Sequence, residues 1–123
     1  MKQIQATKHT HIKRLGAVVV LKPHGNLMGG DETDELGRLI LELDAENVRC
    51  LVINLIDVGM VSSLGLSRLI TAHVRFSKRD ARVNLCNVDS KINAVFVITK
   101  LALVFPVYPN EEEAIAGCAA GAE

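Results

Sequence analysis

The 123-residue sequence predicts an α/β fold in which buried strands alternate with amphipathic helices. Two stretches, 17–21 (AVVVL) and 50–56 (CLVINLI), are almost continuously apolar, and a third, 82–88 (RVNLCNV), is rich in apolar residues. Runs of this composition are typical of strands that are buried on both faces. The segments between them carry apolar residues at helical spacing, so we predict a layered α/β domain with the element order ββαβαβαβα.

The first third of the chain predicts two strands, a loop and a helix. Residues 9–13 alternate weakly between polar and apolar and predict a first, edge strand ahead of 17–21. One proline and three glycines mark a loop over 23–30. A helix follows over 31–43, because its apolar residues recur on one face and its first turns are acidic, where the helix dipole favours negative charge.

The middle of the chain predicts a second helix after the strand 50–56. Apolar residues recur at helical spacing between Leu66 and Phe76, which predicts a helix over about 63–78. His73 falls on the apolar face of this helix, so we interpret it as a packed or boundary residue.

The last third predicts two more helices around a short strand. The third helix begins at a capping residue, Asp89 or Ser90. The short strand lies in the sequence VFPVYP, and its Pro106 favours an edge position because proline donates no ladder hydrogen bond. A final helix is predicted over 111–118, with acidic residues at its positive end.

Length and composition predict one domain spanning 1–123. Apolar residues make up 49% of the chain, enough for a sizeable core. Lys plus Arg and Asp plus Glu both number 14, and aromatic residues are few, which argues against a nucleic-acid partner. The polar N-terminus lacks the apolar segment of a signal peptide, and no apolar run approaches the ~20 residues of a membrane span, so no direct membrane insertion is expected.

The three cysteines predict reduced thiols rather than a metal site. Their number is odd, and Cys50, Cys86 and Cys118 lack the spacing of metal ligands. We interpret them as the thiols of a cytoplasmic protein, with Cys50 and Cys86 in the core and Cys118 near an exposed chain end. His9 and His11 could share one side of a strand, but no neighbouring residue completes a ligand set, so no metal is expected.

The sequence contains no motif that recommends an enzyme. The glycine-rich GNLMGG at 25–30 lacks the spacing of a phosphate-binding loop and is better interpreted as a turn. Neither Ser62 nor Ser63 lies in a GxSxG nucleophile elbow. We therefore predict no catalytic residues and no cofactor; a small enzyme or ligand-binding module that uses GNLMGG and the serine pair is the alternative.

The adjacent serines Ser62 and Ser63 precede the second predicted helix and allow two interpretations. Serine is a favoured N-cap, worth about 1 kcal/mol relative to alanine, so the pair can serve only as a helix cap. A helix N-terminus also accepts negative charge, so a phosphate on Ser63 could be accommodated there and could repel a docked partner. Both interpretations can hold at once.

The stretch 51–70, LVINLIDVGMVSSLGLSRLI, resembles the STAS domain and, within it, the bacterial anti-sigma factor antagonists. A buried strand, a short loop and the pattern Ser-Ser-x-Gly-Leu at the start of a helix carry this resemblance. Ser63 falls on the serine that partner kinases phosphorylate in the family, and Ser62 occupies the position of the family's usual Asp. The resemblance extends over about 17–116.

The resemblance implies a STAS-type sandwich, with a mixed sheet of four to five strands and about four helices mainly on one face. It also implies a binding protein, not an enzyme, that holds an anti-sigma factor kinase when unphosphorylated and so frees a sigma factor. That ATP-dependent serine kinase would phosphorylate Ser63, with Ser62 as the second choice, and a phosphatase would reset the switch. The expected contact residues are Asn26, Asp57, Ser62, Ser63, Leu64 and Gly65.

The same resemblance leaves a role without phosphate turnover open. STAS domains also serve as scaffolds of signalling assemblies and as cytoplasmic partners of lipid-transport ATPases. In either case Ser62 and Ser63 would be contact or capping residues.

Overall fold

The computed structural model describes residues 2–120, which form one mixed six-stranded sheet with four helices. The strands are β1 (Lys2–Ala6), β2 (Thr10–Leu15), β3 (Val18–Pro23), β4 (Cys50–Asn54), β5 (Arg82–Cys86) and β6 (Val107–Tyr108). The helices are α1 (Asp31–Ala45), α2 (Ser63–Ser77), α3 (Ser90–Ile98) and α4 (Glu111–Ala120), and a short 3-10 turn lies at Leu101–Leu103.

The strands lie in the sheet in the order in which they occur in the chain, β1-β2-β3-β4-β5-β6. The pairs β1–β2 and β2–β3 are antiparallel, and the pairs from β3 to β6 are parallel. Each parallel connection contains a helix, as parallel neighbours require a long crossover. The carboxyl ends of β3 and β4 therefore lie at the same edge of the sheet.

Helices cover both faces of the sheet, but unequally. In β4 the side chains alternate, so that Leu51 and Ile53 face one layer while Cys50 and Val52 face the other. The first layer holds the main core, to which α1, α2 and α3 contribute Leu36, Leu69 and Phe96 among others. The second layer is a smaller cluster under α4, made with Ala114 and Cys118. All five residues of β4 are buried, which explains its continuous apolar sequence.

The predicted α/β fold with four helices mainly on one face is confirmed, and the predicted element order is confirmed from β2 onward. Asp89 is the N-cap of α3, and its side chain accepts the amide of Lys91 at 2.8 Å. The strand after Pro106 lies at a sheet edge, as predicted. His73 is half-buried, and its ring packs edge-on against Phe105 with 5.6 Å between centroids.

The sheet has one more strand than the four to five predicted, because β1 precedes the predicted first strand. The predicted edge strand over 9–13 is therefore wrong in position: β2 pairs with β1 on one side and with β3 on the other. The sequence did not predict β1 for a physical reason. β1 is an outer strand whose residues 3–6 are exposed, so its sequence carries little of the apolar pattern that marks a buried strand.

The interpretation of all three cysteines as reduced is wrong for two of them. Cys50 and Cys118 form a disulfide, with 5.8 Å between their Cα atoms, and Cys118 is buried instead of exposed. Cys86 is a free, buried thiol, as predicted. The two bonded cysteines are 68 residues apart and meet only because α4 folds back onto β4. Among residues 2–120, no helix combines the length and apolarity needed to cross a membrane.

Candidate functional site

Two loops meet at the carboxyl edge of β3 and β4 and form the candidate site. The first loop, 24–30, follows β3, and the second, 55–62, follows β4 and leads into α2. Leu27 and Val61 form an isolated parallel bridge, in which the Leu27 amide donates to the Met60 carbonyl at 3.0 Å and the Ser62 amide donates to the Leu27 carbonyl at 2.9 Å. The backbone of the site is thus fixed by pairing between the loops.

Side chains add further links between the same two loops. The Oδ1 atom of Asn26 accepts the amide of Gly59 at 3.0 Å. His24 Nδ1 lies 2.7 Å from Asp57 Oδ2, and the amide of Gly25 donates to the Asp57 carbonyl at 3.2 Å. Asn26 and Asp57, both predicted as partner-contact residues, therefore also hold the loop conformation.

Ser62 is the N-cap of α2. Its Oγ accepts the amide of Gly65 at 3.4 Å and donates to the carbonyl of Leu27 at 3.3 Å. Ser62 is half-buried, and its backbone is extended, as N-cap residues are. The capping interpretation thus holds for Ser62, whose hydroxyl is engaged on both its donor and its acceptor side.

Ser63 occupies the first helical position of α2 and is exposed. The first turn of the helix reads Ser-Leu-Gly-Leu and carries no charge, so the dipole at this end is not neutralised by an acid in that turn. An exposed hydroxyl at a helix N-terminus stands where free amides and the dipole favour a negative group. The two adjacent serines therefore have different environments.

Gly65 lies where the start of α2 touches the first loop. A Cβ on Gly65 would lie 2.4 Å from the carbonyl oxygen of Leu27 and 2.7 Å from Cγ1 of Val61. No side chain fits in that space without a backbone shift. The glycine of the Ser-Ser-x-Gly pattern is thus explained by close packing of α2 on the bridge between the loops.

Exposed apolar side chains occur in both loops and in the first turn of α2. Four large residues of the two loops and the first turn, Met28, Ile56, Met60 and Leu64, are each between 51% and 57% exposed. Leu64 lies over Gly29, where an added Cβ would come within 2.8 Å of its Cδ1. Beside them, Met60 and Val95 line a groove of about 130 Å³ between the second loop and α3, with Lys91 as its charged residue. A grouping of this kind marks an interaction surface more often than a set of isolated apolar residues.

A network of polar side chains at the end of β4 also holds the second loop in place. Asn54, the last residue of β4, accepts the amide of Ile56 at 3.1 Å and donates to Glu111 of α4 at 3.1 Å. Asn87 donates to the same Asn54 oxygen at 3.0 Å, and Lys13 donates to Glu111. Burial alone would raise the pKa of Glu111, but hydrogen bonds from Lys13 and Asn54, with the charges of Lys13 and Lys22, outweigh it and lower that pKa.

The structure brings all six predicted contact residues, Asn26, Asp57, Ser62, Ser63, Leu64 and Gly65, to this one edge of the sheet. Sequence reasoning missed the exposed apolar group and the Asn54–Glu111 network. The available signal for the apolar group was the presence of a methionine in each of the two glycine-containing loops, Met28 and Met60. Asn54 and Glu111 lie far apart in the sequence, so no local sequence pattern could have predicted their network. Within the described residues, no three His, Cys, Asp or Glu side chains lie close enough to hold a metal ion.

The mixed sheet and the four helices define a small α/β domain. Its candidate site consists of a strand, a loop and a helix that Ser62 caps. Residues 3–114 match the STAS domain family. The chain belongs to this family, because the match covers most of its length.

Solved structures show the same fold at low sequence identity. An anti-sigma factor antagonist from Mycobacterium paratuberculosis is 22% identical, with a TM-score of 0.78 and coverage of 95% of each chain. The Bacillus cell fate determinant SpoIIAA in its phosphorylated form is 17% identical, with a TM-score of 0.67, over 94% of this chain and 97% of that one. A sulfate transporter family protein from Wolinella succinogenes is 15% identical, with a TM-score of 0.76, over 88% and 89%. No curated protein matches the chain.

Proposed function

We propose that this STAS protein is an anti-sigma factor antagonist that is switched by phosphorylation of Ser63. In the unphosphorylated state it binds an anti-sigma factor kinase through the apolar surface around the start of α2, and so frees a sigma factor. The observation that carries the proposal is that the two serines have different environments. Ser62 uses its hydroxyl to cap the helix, whereas Ser63 is exposed and is followed by the half-exposed Leu64.

The charge of a phosphate explains how modification would weaken binding without unfolding the protein. A phosphate on Ser63 adds about −1.5 to −2 charges. The α2 dipole and the free amides of the first turn accommodate that charge within the protein. A partner that covers Leu64 and Met60 would have to bury it, and burial of an unpaired charge is costly. The switch therefore acts on the complex and leaves the fold intact.

The proposed setting follows from this chemistry. On this proposal the protein works in the cytoplasm beside a kinase that uses ATP and a phosphatase that resets the switch, and it performs no catalysis itself. Resemblance to SpoIIAA, which has been solved in phosphorylated form, supports this proposal at the level of the fold.

A second candidate function keeps the surface but removes the phosphate cycle. This candidate is a partner of lipid-transport ATPases or a scaffold of a signalling assembly, two roles that STAS domains also serve. The fold likeness to a sulfate transporter family protein favours the transport setting of the two. On that account Ser63 is a contact residue, and its phosphorylation plays no part.

Binding measurements with matched serine variants separate the two candidates. Each anti-sigma factor kinase of the protein's own organism is titrated with the wild type, Ser63→Ala, Ser63→Asp and Ser62→Asp by isothermal calorimetry. The proposal predicts a tight complex for the wild type and Ser63→Ala, and an affinity at least about tenfold lower for Ser63→Asp. Equal affinities of Ser63→Ala and Ser63→Asp, or no binding to any of these kinases, would overturn it in favour of the second candidate.

A further inference from the structure

The disulfide between Cys50 and Cys118 lies at the end of the sheet opposite the serine site. Cys50 is the first residue of β4, whereas the serine site follows the last residue of that strand. Cys118 lies in the second half of α4, so the bond ties this part of the helix to the sheet. The disulfide therefore has no direct contact with the loops that carry Ser63.

The two cysteines of the disulfide line a cavity that is open to solvent. Cys50 and Cys118 line this cavity of about 760 Å³ together with two basic residues, Arg49 and Arg82, and one acidic residue, Asp80. Arg82 is the direct neighbour of Cys50 in the β4–β5 register. Arg49 is held at the rim, because its guanidinium donates to the carbonyls of Arg79 and Asp80 at 3.0 Å each. Positive side chains favour the thiolate form of a cysteine and attract an attacking thiolate from solution.

Cys86 provides an internal contrast within the same layer of the protein. It is fully buried, and burial, with the charge of Glu111, raises the pKa of its thiol to about 11 despite the hydrogen bond with Asn87 and the charge of Lys13. A buried thiol that stays protonated is a poor nucleophile. Cys86 is therefore a poor nucleophile in the folded protein, and it does not line the cavity that Cys50 and Cys118 share.

We propose that Cys50 and Cys118 form a reversible redox site that fastens and releases the C-terminal half of α4 while the rest of the domain stays folded. In reduction, the thiolate of a small dithiol attacks one sulfur of the bond and displaces the other cysteine as a thiolate, which takes up a proton. The second thiol of the reagent then closes its own disulfide and releases the first cysteine. In oxidation, hydrogen peroxide converts the two thiols into the disulfide and two molecules of water. In the cytoplasmic setting proposed above, disulfides are usually transient and redox-sensing.

The contacts of α4 explain why only part of the helix would be released. Its first half is held without the disulfide, because Glu111 accepts from Asn54 and Lys13, and Asn84 donates to the carbonyl of Ala114 at 3.0 Å. Its second half consists mainly of small residues, which bury little apolar area, although Gly117 packs closely against the ring of Tyr108. Reduction removes the one covalent link of that second half and widens access to the cavity.

The site is tested by counting thiols and following amide exchange in the full-length protein. Protein treated with hydrogen peroxide is expected to show one thiol in denaturant, Cys86, and three after treatment with dithiothreitol. Under native conditions dithiothreitol should open the bond without loss of the far-ultraviolet circular dichroism signal. It should also speed amide exchange in 115–119 at least about tenfold more than in 111–114, and lower the melting temperature by about 10 °C.

Matched cysteine variants complete the test. Cys86→Ala is expected to keep the full redox response, whereas Cys118→Ala is expected to exchange like the reduced protein whatever the reagent. Three free thiols in the peroxide-treated protein, or a bond that dithiothreitol opens only after global unfolding, would overturn the inference. The proposed switch at Ser63 is tested separately, because Cys118→Ala leaves the serine site unchanged and should bind the kinase with wild-type affinity.

Discussion

The hydroxyl of Ser62 lies 3.3 Å from the carbonyl oxygen of Leu27 and joins the start of α2 to the loop that follows β3. The Ser62 amide donates to the same oxygen at 2.9 Å, so one carbonyl receives two hydrogen bonds from one residue. Ser62 therefore holds the start of α2 against the first loop, whereas Ser63 remains exposed at the surface. The predictions below follow from that difference and from the contacts around it.

Replacement of Ser62 by alanine is expected to destabilise the protein by about 1 kcal/mol, because the helix cap is lost. Ser63→Ala, at the exposed neighbouring position, should change the free energy of unfolding by less than about 0.5 kcal/mol. Urea denaturation of both variants checks the prediction. If the two variants were equally stable, Ser62 would not be the functional cap.

Gly65→Ala is expected to destabilise the protein by about 1–3 kcal/mol, because the added Cβ meets the Leu27 carbonyl at 2.4 Å and the backbone must shift. Gly59→Ala is the matched control in the same site, since its Cβ would lie 3.5 Å from Asn26, an ordinary contact. Thermal or urea unfolding measures both. A Gly65→Ala protein as stable as Gly59→Ala would refute the close packing of α2 on the first loop.

The apolar surface makes a separate prediction about the partner. Met60→Gln keeps the length of a half-exposed side chain but makes it polar, so we expect about tenfold weaker binding of the kinase with little change in stability. Leu103→Gln alters a more exposed apolar residue outside the site, 84% exposed on the 3-10 turn, and should leave the affinity unchanged. Equal losses in both variants would indicate a different or broader contact surface.

The Asn54–Glu111 network predicts a specific dependence of stability on pH. The pKa of Glu111 in the folded protein lies below its ordinary value of 4.5, so the ionised carboxylate stabilises the fold above that pH. This contribution should disappear as the pH falls below 4.5 and through the lowered folded-state value. Glu111→Gln should therefore be less stable than the wild type at pH 7, and the difference should shrink towards pH 3. A difference that did not change with pH would mean that the Glu111 charge does not stabilise the fold.

The sequence was sufficient for those parts of the fold that bury apolar residues in a regular pattern. Strand β4 and helix α1 have such patterns, and both were predicted almost at their observed limits. Strand β1 was missed because it lies at the sheet edge and buries little. The disulfide was missed because Cys50 and Cys118 lie at a separation of 68 residues, and an odd number of cysteines does not specify a pairing.

A local sequence pattern predicted the site only where its residues are consecutive, whereas Asn26 and Asp57 were expected from the resemblance to a family. The serine pair and Gly65 form one short motif, which the resemblance to a family identified. The bridge between Leu27 and Val61 and the network of Asn54 with Glu111 depend on tertiary packing and have no local pattern. The different roles of Ser62 and Ser63 also required the structure, since either serine could have capped the helix.

Mapping of the phosphate is the most direct measurement of the central claim. The protein is incubated with an anti-sigma factor kinase that it binds, together with ATP and Mg²⁺, and the modified residue is located by tandem mass spectrometry. The account predicts a single phosphate on Ser63, and an unmodified protein when Ser63 is alanine. A phosphate on Ser62, or a wild-type protein that such a kinase leaves unmodified, would contradict it.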